Sequence, residues 1–259
     1  MANSDVDPLP DPRDPRPRPV LAGAVHVYTS LGAVLAFLMI VAAVEDDTTA
    51  ALWLFLAAMV VDGTDGLLAR RLRVKEVIPW FDGALLDNIV DYLTYVFAPV
   101  VLLWTAGFLP DGRAGWLLAC LPLLVSTYQF CRSDAKTEDH FFMGFPSYWN
   151  VVAFYVVVLD LPASAVTTLL VVLSVLVFVP VKYVYPSRTQ TWWYTNMAAT
   201  AAWFVAYAFI VAQLPDPAPW LVGLSLAYVG FYVAESLMLT LRKRQSDRAS
   251  DHVVGTASA

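Results

Sequence analysis

Apolar residues run in long stretches separated by short polar segments. Eight stretches can be drawn, near 20–44, 49–70, 83–108, 115–132, 149–161, 164–185, 195–214 and 219–241. Crossing the hydrocarbon core of a bilayer takes about 20 residues of helix, so most are long enough. The fifth is short when counted from Trp149 and spans only if it begins within FFMGFPSYW. The pattern predicts an all-α, polytopic membrane helix bundle of about eight transmembrane helices. Residues 1–19, with six prolines, predict an extended, solvated tail. Residues 242–259, opening with RKRQSDR, predict a second disordered tail. A single transmembrane domain, 20–241, lies between them, with no internal repeat.

The connections alternate in charge. EDDTT between the first two stretches is acidic, and RRLRVKEVIPW between the next two is basic. LPDGRAG is near neutral, RSDAKTED mixed, DLPA acidic, VKYVYPSRTQT basic and LPDPAP acidic. Lys and Arg thus gather in every second connection, in phase with both tails. The positive-inside rule places both termini and those connections in the cytoplasm, which requires an even number of spans.

Composition agrees: 59% of the 259 residues are hydrophobic and 15% charged. The net charge of −6 argues against a nucleic-acid partner. Cys120 and Cys131, eleven positions apart on one helix, are about 16 Å apart along its axis, too far for a disulfide. They are expected to be small packing residues, and the lone His26 and His140 to be packing or interfacial residues.

Ionisable residues inside a span are costly and usually face a site. The second stretch carries Asp62, Asp65, Gly66 and Ala69 at i, i+3, i+4 and i+7, one helical face. The third carries Gly83, Asp87 and Asp91 every four residues, and Tyr95 continues that stripe. Asp62 lies about 12 Å below the cytoplasmic end of its helix and Asp91 about 13 Å below its own. Two facing pairs are expected, Asp62 with Asp91 and Asp65 with Asp87. Four carboxylates this close need a counter-charge, and no lysine lies on either stripe. A hard divalent cation fits carboxylate oxygen, and two such ions can clamp a pyrophosphate.

The segment Asp62-x-x-Asp65-Gly66-x-x-Ala69-Arg70, followed by Gly83-x-x-x-Asp87-x-x-x-Asp91, resembles the signature of the CDP-alcohol phosphatidyltransferases. Twelve residues, 71–82, separate Arg70 from Gly83, where most of that family has about eight. That gap, with VKEVIPWFDGALLDNIVDYLTYVF, AKTEDHFFMGFPSYWN and VKYVYPSRT, resembles the bacterial phosphatidylcholine synthase branch.

The resemblance implies CDP-diacylglycerol and choline as substrates and Mg²⁺ or Mn²⁺, two ions, as cofactor. It implies metal ligation by Asp62, Asp65, Asp87 and Asp91, with Asp91 also the base. It implies a nucleotide site at Asp62, Gly66, Ala69 and Arg70, a homodimer, and a place in the bacterial cytoplasmic membrane with the active site facing the cytoplasm. Arg132, Lys136, Lys182 and Arg188 are candidates for the lipid phosphate. A quaternary ammonium is held by aromatic faces and a nearby anion. Tyr148 and Trp149 rank first for it, with Asn150 beside them. Glu235 either faces the cavity or pairs across a helix interface. Two other readings compete: a sibling enzyme using serine, inositol or glycerol phosphate, and a cation-coupled transporter. The transporter fits less well, since the acids sit toward one face and no repeat is visible.

Overall fold

The computed structural model describes residues 19–137 and 139–257, so the proline-rich stretch expected as a tail lies almost wholly outside the described residues. Helix α1 (Pro19–Val44) packs along α2 (Thr48–Arg71). Asp47 caps α2 by accepting from the Ala50 N–H at 2.8 Å. Arg70 and Arg71 stand where the helix dipole favours cations. Arg73, in the left-handed region at φ 48°, turns the chain into the short α3 (Val74–Val77). Asp82 accepts from the Ala84 and Leu85 N–H groups, both at 3.0 Å, and opens α4 (Gly83–Asp91).

α4 continues through a π-helical turn, Tyr92–Phe97, into α5 (Ala98–Thr105), making one rod of 23 residues. The cause of the wide turn is Pro99, which brings no N–H to the Tyr95 carbonyl and whose ring crowds that turn. The Ala98 N–H reaches back five residues to Leu93 instead. Gly32 of α1 lets this rod come close, because a Cβ there would fall 2.3 Å from Val90 Cγ1.

Next come α6 (Arg113–Cys131), β1 (Phe141–Met143), α7 (Trp149–Val158), α8 (Ala163–Leu176), β2 (Lys182–Val184), α9 (Trp193–Ala212) and α10 (Pro219–Ala257). Among the described residues, six helical segments of 19 to 26 residues are long and apolar enough to cross a bilayer, the last being Pro219–Lys243 of α10. Their outward faces carry apolar side chains such as Leu117, 74% exposed, and Leu124, 70% exposed. Such a belt is a liability in water and normal in lipid. The chain is a multi-pass membrane protein.

The eight expected stretches are present as helices, but α7 and α8 run only about 15 and 21 Å. FFMGFPSYW does not lengthen α7: Gly144 at φ +78°, Pro146 and Ser147 at φ 60° break any helix there. The sixth stretch ends at Leu176 because Pro180 stops it and residues 182–184 pair as a strand with 141–143. That pairing, Phe141 opposite Val184, brings the two ends of the α7–α8 hairpin to the same end of the bundle. The even count therefore survives whether or not the hairpin crosses.

Two expectations are corrected here. The disordered C-terminal tail is instead helix, since α10 runs to Ala257. Its Arg, Lys and Gln residues are good helix formers, and extending a helix carries no nucleation cost. Cys120 and Cys131 are exposed rather than packed, because α6 buries the Leu118, Pro122, Val125 and Gln129 face instead.

Candidate active site

The acids converge where α2 meets α4, beneath the residues joining α6 to α7. Asp62, Asp87 and Asp91 each offer a carboxylate oxygen, and these oxygens lie within 4.8 Å of one another. Tyr95, on the widened turn, donates to Asp62 Oδ2 at 2.7 Å. Asp65 is set apart: it is buried and its Oδ2 accepts from Thr29 Oγ1 of α1 at 2.7 Å. Asp65 thus stands as a neighbour of this triad. Three residues of helix turn the side chain about 300°, which carries Asp65 from the α4 side toward α1. It still borders the small gap that Asp62, Asp87 and Asp91 also line.

The cluster does have a cationic neighbour. Lys136, from the segment after α6, stands 3.3 Å from Asp87 Oδ2. Burial pushes its ammonium down, but the Asp87 and Asp91 carboxylates outweigh that and hold it above the usual lysine value. The two helical stripes could not disclose a lysine about 45 residues further along the chain. One ammonium against four carboxylates still leaves the acids undercompensated. Three converging hard oxygen donors suit a divalent cation.

Beside the triad lies a cavity of about 690 Å³. α2 contributes Asp62, Gly63, Thr64 and Leu67, and α4 contributes Asp87 and Asp91. α9 supplies an apolar flank through Met197, Ala201 and Phe204. Arg132, Lys136, Phe142, Tyr148 and Tyr185 form the roof.

The other expected site residues are spread more widely. Gly66, Ala69 and Arg70 are not among the residues that line this cavity. A Cβ at Gly66 would meet the Arg70 guanidinium at 3.2 Å, and Ala69 packs beside Ala22, Val25 and Val74. Arg132 lines the cavity with its fork held by Asp134, both bonds 2.6 Å. Lys182 bonds Asp139, and the Arg188 guanidinium lies 5.7 Å above the Tyr185 ring. Tyr148 lines the cavity, whereas Trp149 is wholly buried and donates to Ser126 Oγ at 2.8 Å. Asn150 is buried. Glu235 is also buried and pairs across the α9–α10 interface, its Oε1 accepting from Asn196 at 3.0 Å. His26 packs on the Phe81 ring at 4.3 Å. Thr29 and Phe142 escaped the sequence reading because nothing in their local spacing marks them.

The CDP-alcohol phosphatidyltransferase family model matches residues 24–241. A phosphatidylcholine synthase of Legionella pneumophila is 40% identical over 223 residues, 83% of this chain and 87% of the relative. One from Pseudomonas aeruginosa is 38% identical, covering 86% and 93%. One from Borreliella burgdorferi is 36% identical, covering 66% and 73%.

Proposed function

This chain belongs to the CDP-alcohol phosphatidyltransferase family, and from that premise we propose that it transfers the phosphatidyl group of CDP-diacylglycerol to choline, releasing CMP. The observation that carries this reading is the convergence of Asp62, Asp87 and Asp91 on one wall of a cavity with an apolar flank. The names of its relatives favour choline over serine, inositol or glycerol phosphate as acceptor. The match over nearly the whole membrane region supports one catalytic domain, 20–241, and displaces the transporter reading.

In this reading the choline oxygen forms a bond to the phosphorus that carries diacylglycerol. The bond from that phosphorus to the CMP oxygen breaks. Asp91 takes the hydroxyl proton, since an alcohol is a weak nucleophile until deprotonated. Asp62, Asp65, Asp87 and Asp91 hold Mg²⁺ or Mn²⁺, two ions, which supply charge neutralisation at the pyrophosphate. Tyr95 and Thr29 fix the Asp62 and Asp65 carboxylates by donating to them. Gly66, Ala69 and Arg70 take the nucleotide. Arg132 and Lys136 face the lipid phosphate. The basic end of the bundle faces the cytoplasm, in the bacterial cytoplasmic membrane, and the protein works as a homodimer.

Incorporation of radiolabelled choline into lipid tests this, with CDP-diacylglycerol and Mn²⁺ supplied. Choline product from the wild type, with Asp91→Asn inactive yet still binding CDP-diacylglycerol, is expected. Product with serine and none with choline overturns the acceptor. Near-normal turnover by Asp91→Asn overturns the base.

A further inference from the structure

The cavity is lined by acids of α2 and α4 and, on its roof, by aromatic rings beside Arg132 and Lys136. Phe142 and Tyr148 both line the cavity, and neither is fully buried. Their rings stand at 84° with centroids 6.2 Å apart, which makes a corner. Tyr185 stacks behind Phe142 at 4.5 Å and 28°, fixing that ring from one side. On the other side of the corner Tyr148 lies 5.9 Å from Tyr95, whose hydroxyl bonds Asp62. Acid, Tyr95, Tyr148 and Phe142 thus follow one another around the same space.

A quaternary ammonium carries charge but no N–H. Hydrogen-bond acceptors cannot hold it directionally, while aromatic faces attract it through the ring quadrupole. Two rings at right angles offer it two faces at once. The Arg188 guanidinium over Tyr185 shows a cation already settled on this aromatic group from outside the cavity.

We propose that the Phe142–Tyr148 corner binds the quaternary ammonium of the acceptor through the faces of its rings. This rests on the choline reading above. It places the headgroup on the roof and its hydroxyl, two carbons away, toward the acids. Trp149, Asn150 and Glu235 drop out of the pocket, because each is buried in packing away from the cavity lining.

The test is steady-state kinetics of Tyr148→Leu, Phe142→Leu and Tyr148→Phe in detergent or vesicles. Both leucine variants should raise KM for choline about tenfold or more, with KM for CDP-diacylglycerol unchanged. Tyr148→Phe keeps the ring and should hold the choline KM well below that of Tyr148→Leu. Tetramethylammonium, which has the headgroup and no hydroxyl, should compete with choline in the wild type, where folding is not in question. Choline KM unchanged in both leucine variants, both KM values rising together, or no competition by tetramethylammonium overturns the corner alone. A wild type that makes no choline product overturns the acceptor, and the corner with it.

Discussion

The two walls of the cavity are held by opposite means. The acid wall stands on α2 and α4, where each carboxylate's place follows from helical spacing and local main-chain bonds. Among the described residues, side-chain bonds tie its acids to other elements at Asp65 from Thr29, at Asp62 from Tyr95 and at Asp87 from Lys136. The roof is made of irregular chain and two three-residue strands. β2 is paired to β1 on one edge and to side chains of α10 on the other. Ser236 Oγ accepts from the Val184 N–H at 3.1 Å, and Tyr232 donates to the Val184 carbonyl at 3.0 Å. Thr240 Oγ1 accepts from the Lys182 N–H at 3.0 Å. Strands this short would leave backbone groups bare at a bundle end. α10 satisfies them from about 50 residues away. The wall that carries the chemistry is local, and the wall that faces it is borrowed.

The sharpest probe of the acid wall is the bond from Tyr95. Tyr95→Phe removes the donor to Asp62 and keeps the ring against Tyr148. Orienting groups of this kind are worth roughly 10- to 100-fold in metal affinity. Half-maximal activation should therefore need about tenfold more Mn²⁺, with the melting temperature unchanged. An unaltered Mn²⁺ titration would show that helical spacing alone sets the wall.

That asymmetry also explains what was legible in the sequence. Asp62, Asp87 and Asp91 could be brought together from an i, i+4 rule and a depth estimate, because α2 and α4 are regular. Asp65 needed more than spacing, since its bond to Thr29 depends on where α1 lies. The span count was legible from apolar length, but not the shortening of α7 and α8. There Gly144 and Pro146 lie inside an apolar run, and hydropathy does not register backbone geometry. Lys136 and Phe142 could be placed only by knowing how 132–148 folds back, which depends on β2 and α10. The C-terminal helix was missed because polar composition resembles disorder when the preceding helix is ignored.

The roof's hinge can be tested at Gly144. Its φ of +78° suits glycine, and a Cβ there would fall 2.1 Å from the Val177 carbonyl oxygen. That neighbour is backbone and cannot rotate away. Gly144→Ala should cost about 1–3 kcal/mol and lower turnover several-fold. Thermal unfolding and kinetics measure both, and the Mn²⁺ requirement should stay at its wild-type value. A shift in that requirement would mean the roof and the acid wall are not separately built.

The smallest effect is expected at the ionic tie that joins the roof to α10. Asp139 accepts from Lys182 Nζ at 2.7 Å and also from Lys243. Burial pushes its carboxyl up, but the two ammonium groups and Thr137 outweigh that and hold it far below the usual carboxylate range. Lys182 does not gain in step. Burial and the neighbouring Lys243 keep it below the ordinary lysine value, because two cations share one carboxylate. The depression of Asp139 is therefore the surer sign that the tie stabilises the fold. A carboxyl with a lowered folded pKa contributes above its unfolded value, about 3.9, and loses that contribution as pH falls further. Asp139 is one-third exposed, so solvent screening limits the tie. Asp139→Asn should cut turnover only about two- to threefold at pH 7. Its melting temperature should sit slightly below wild type from pH 5 to 8, and the two should converge as pH falls below about 4. A gap that stays constant down to pH 3 would assign the loss to packing at Asp139, and the roof would then hang on its hydroxyl bonds to α10 alone.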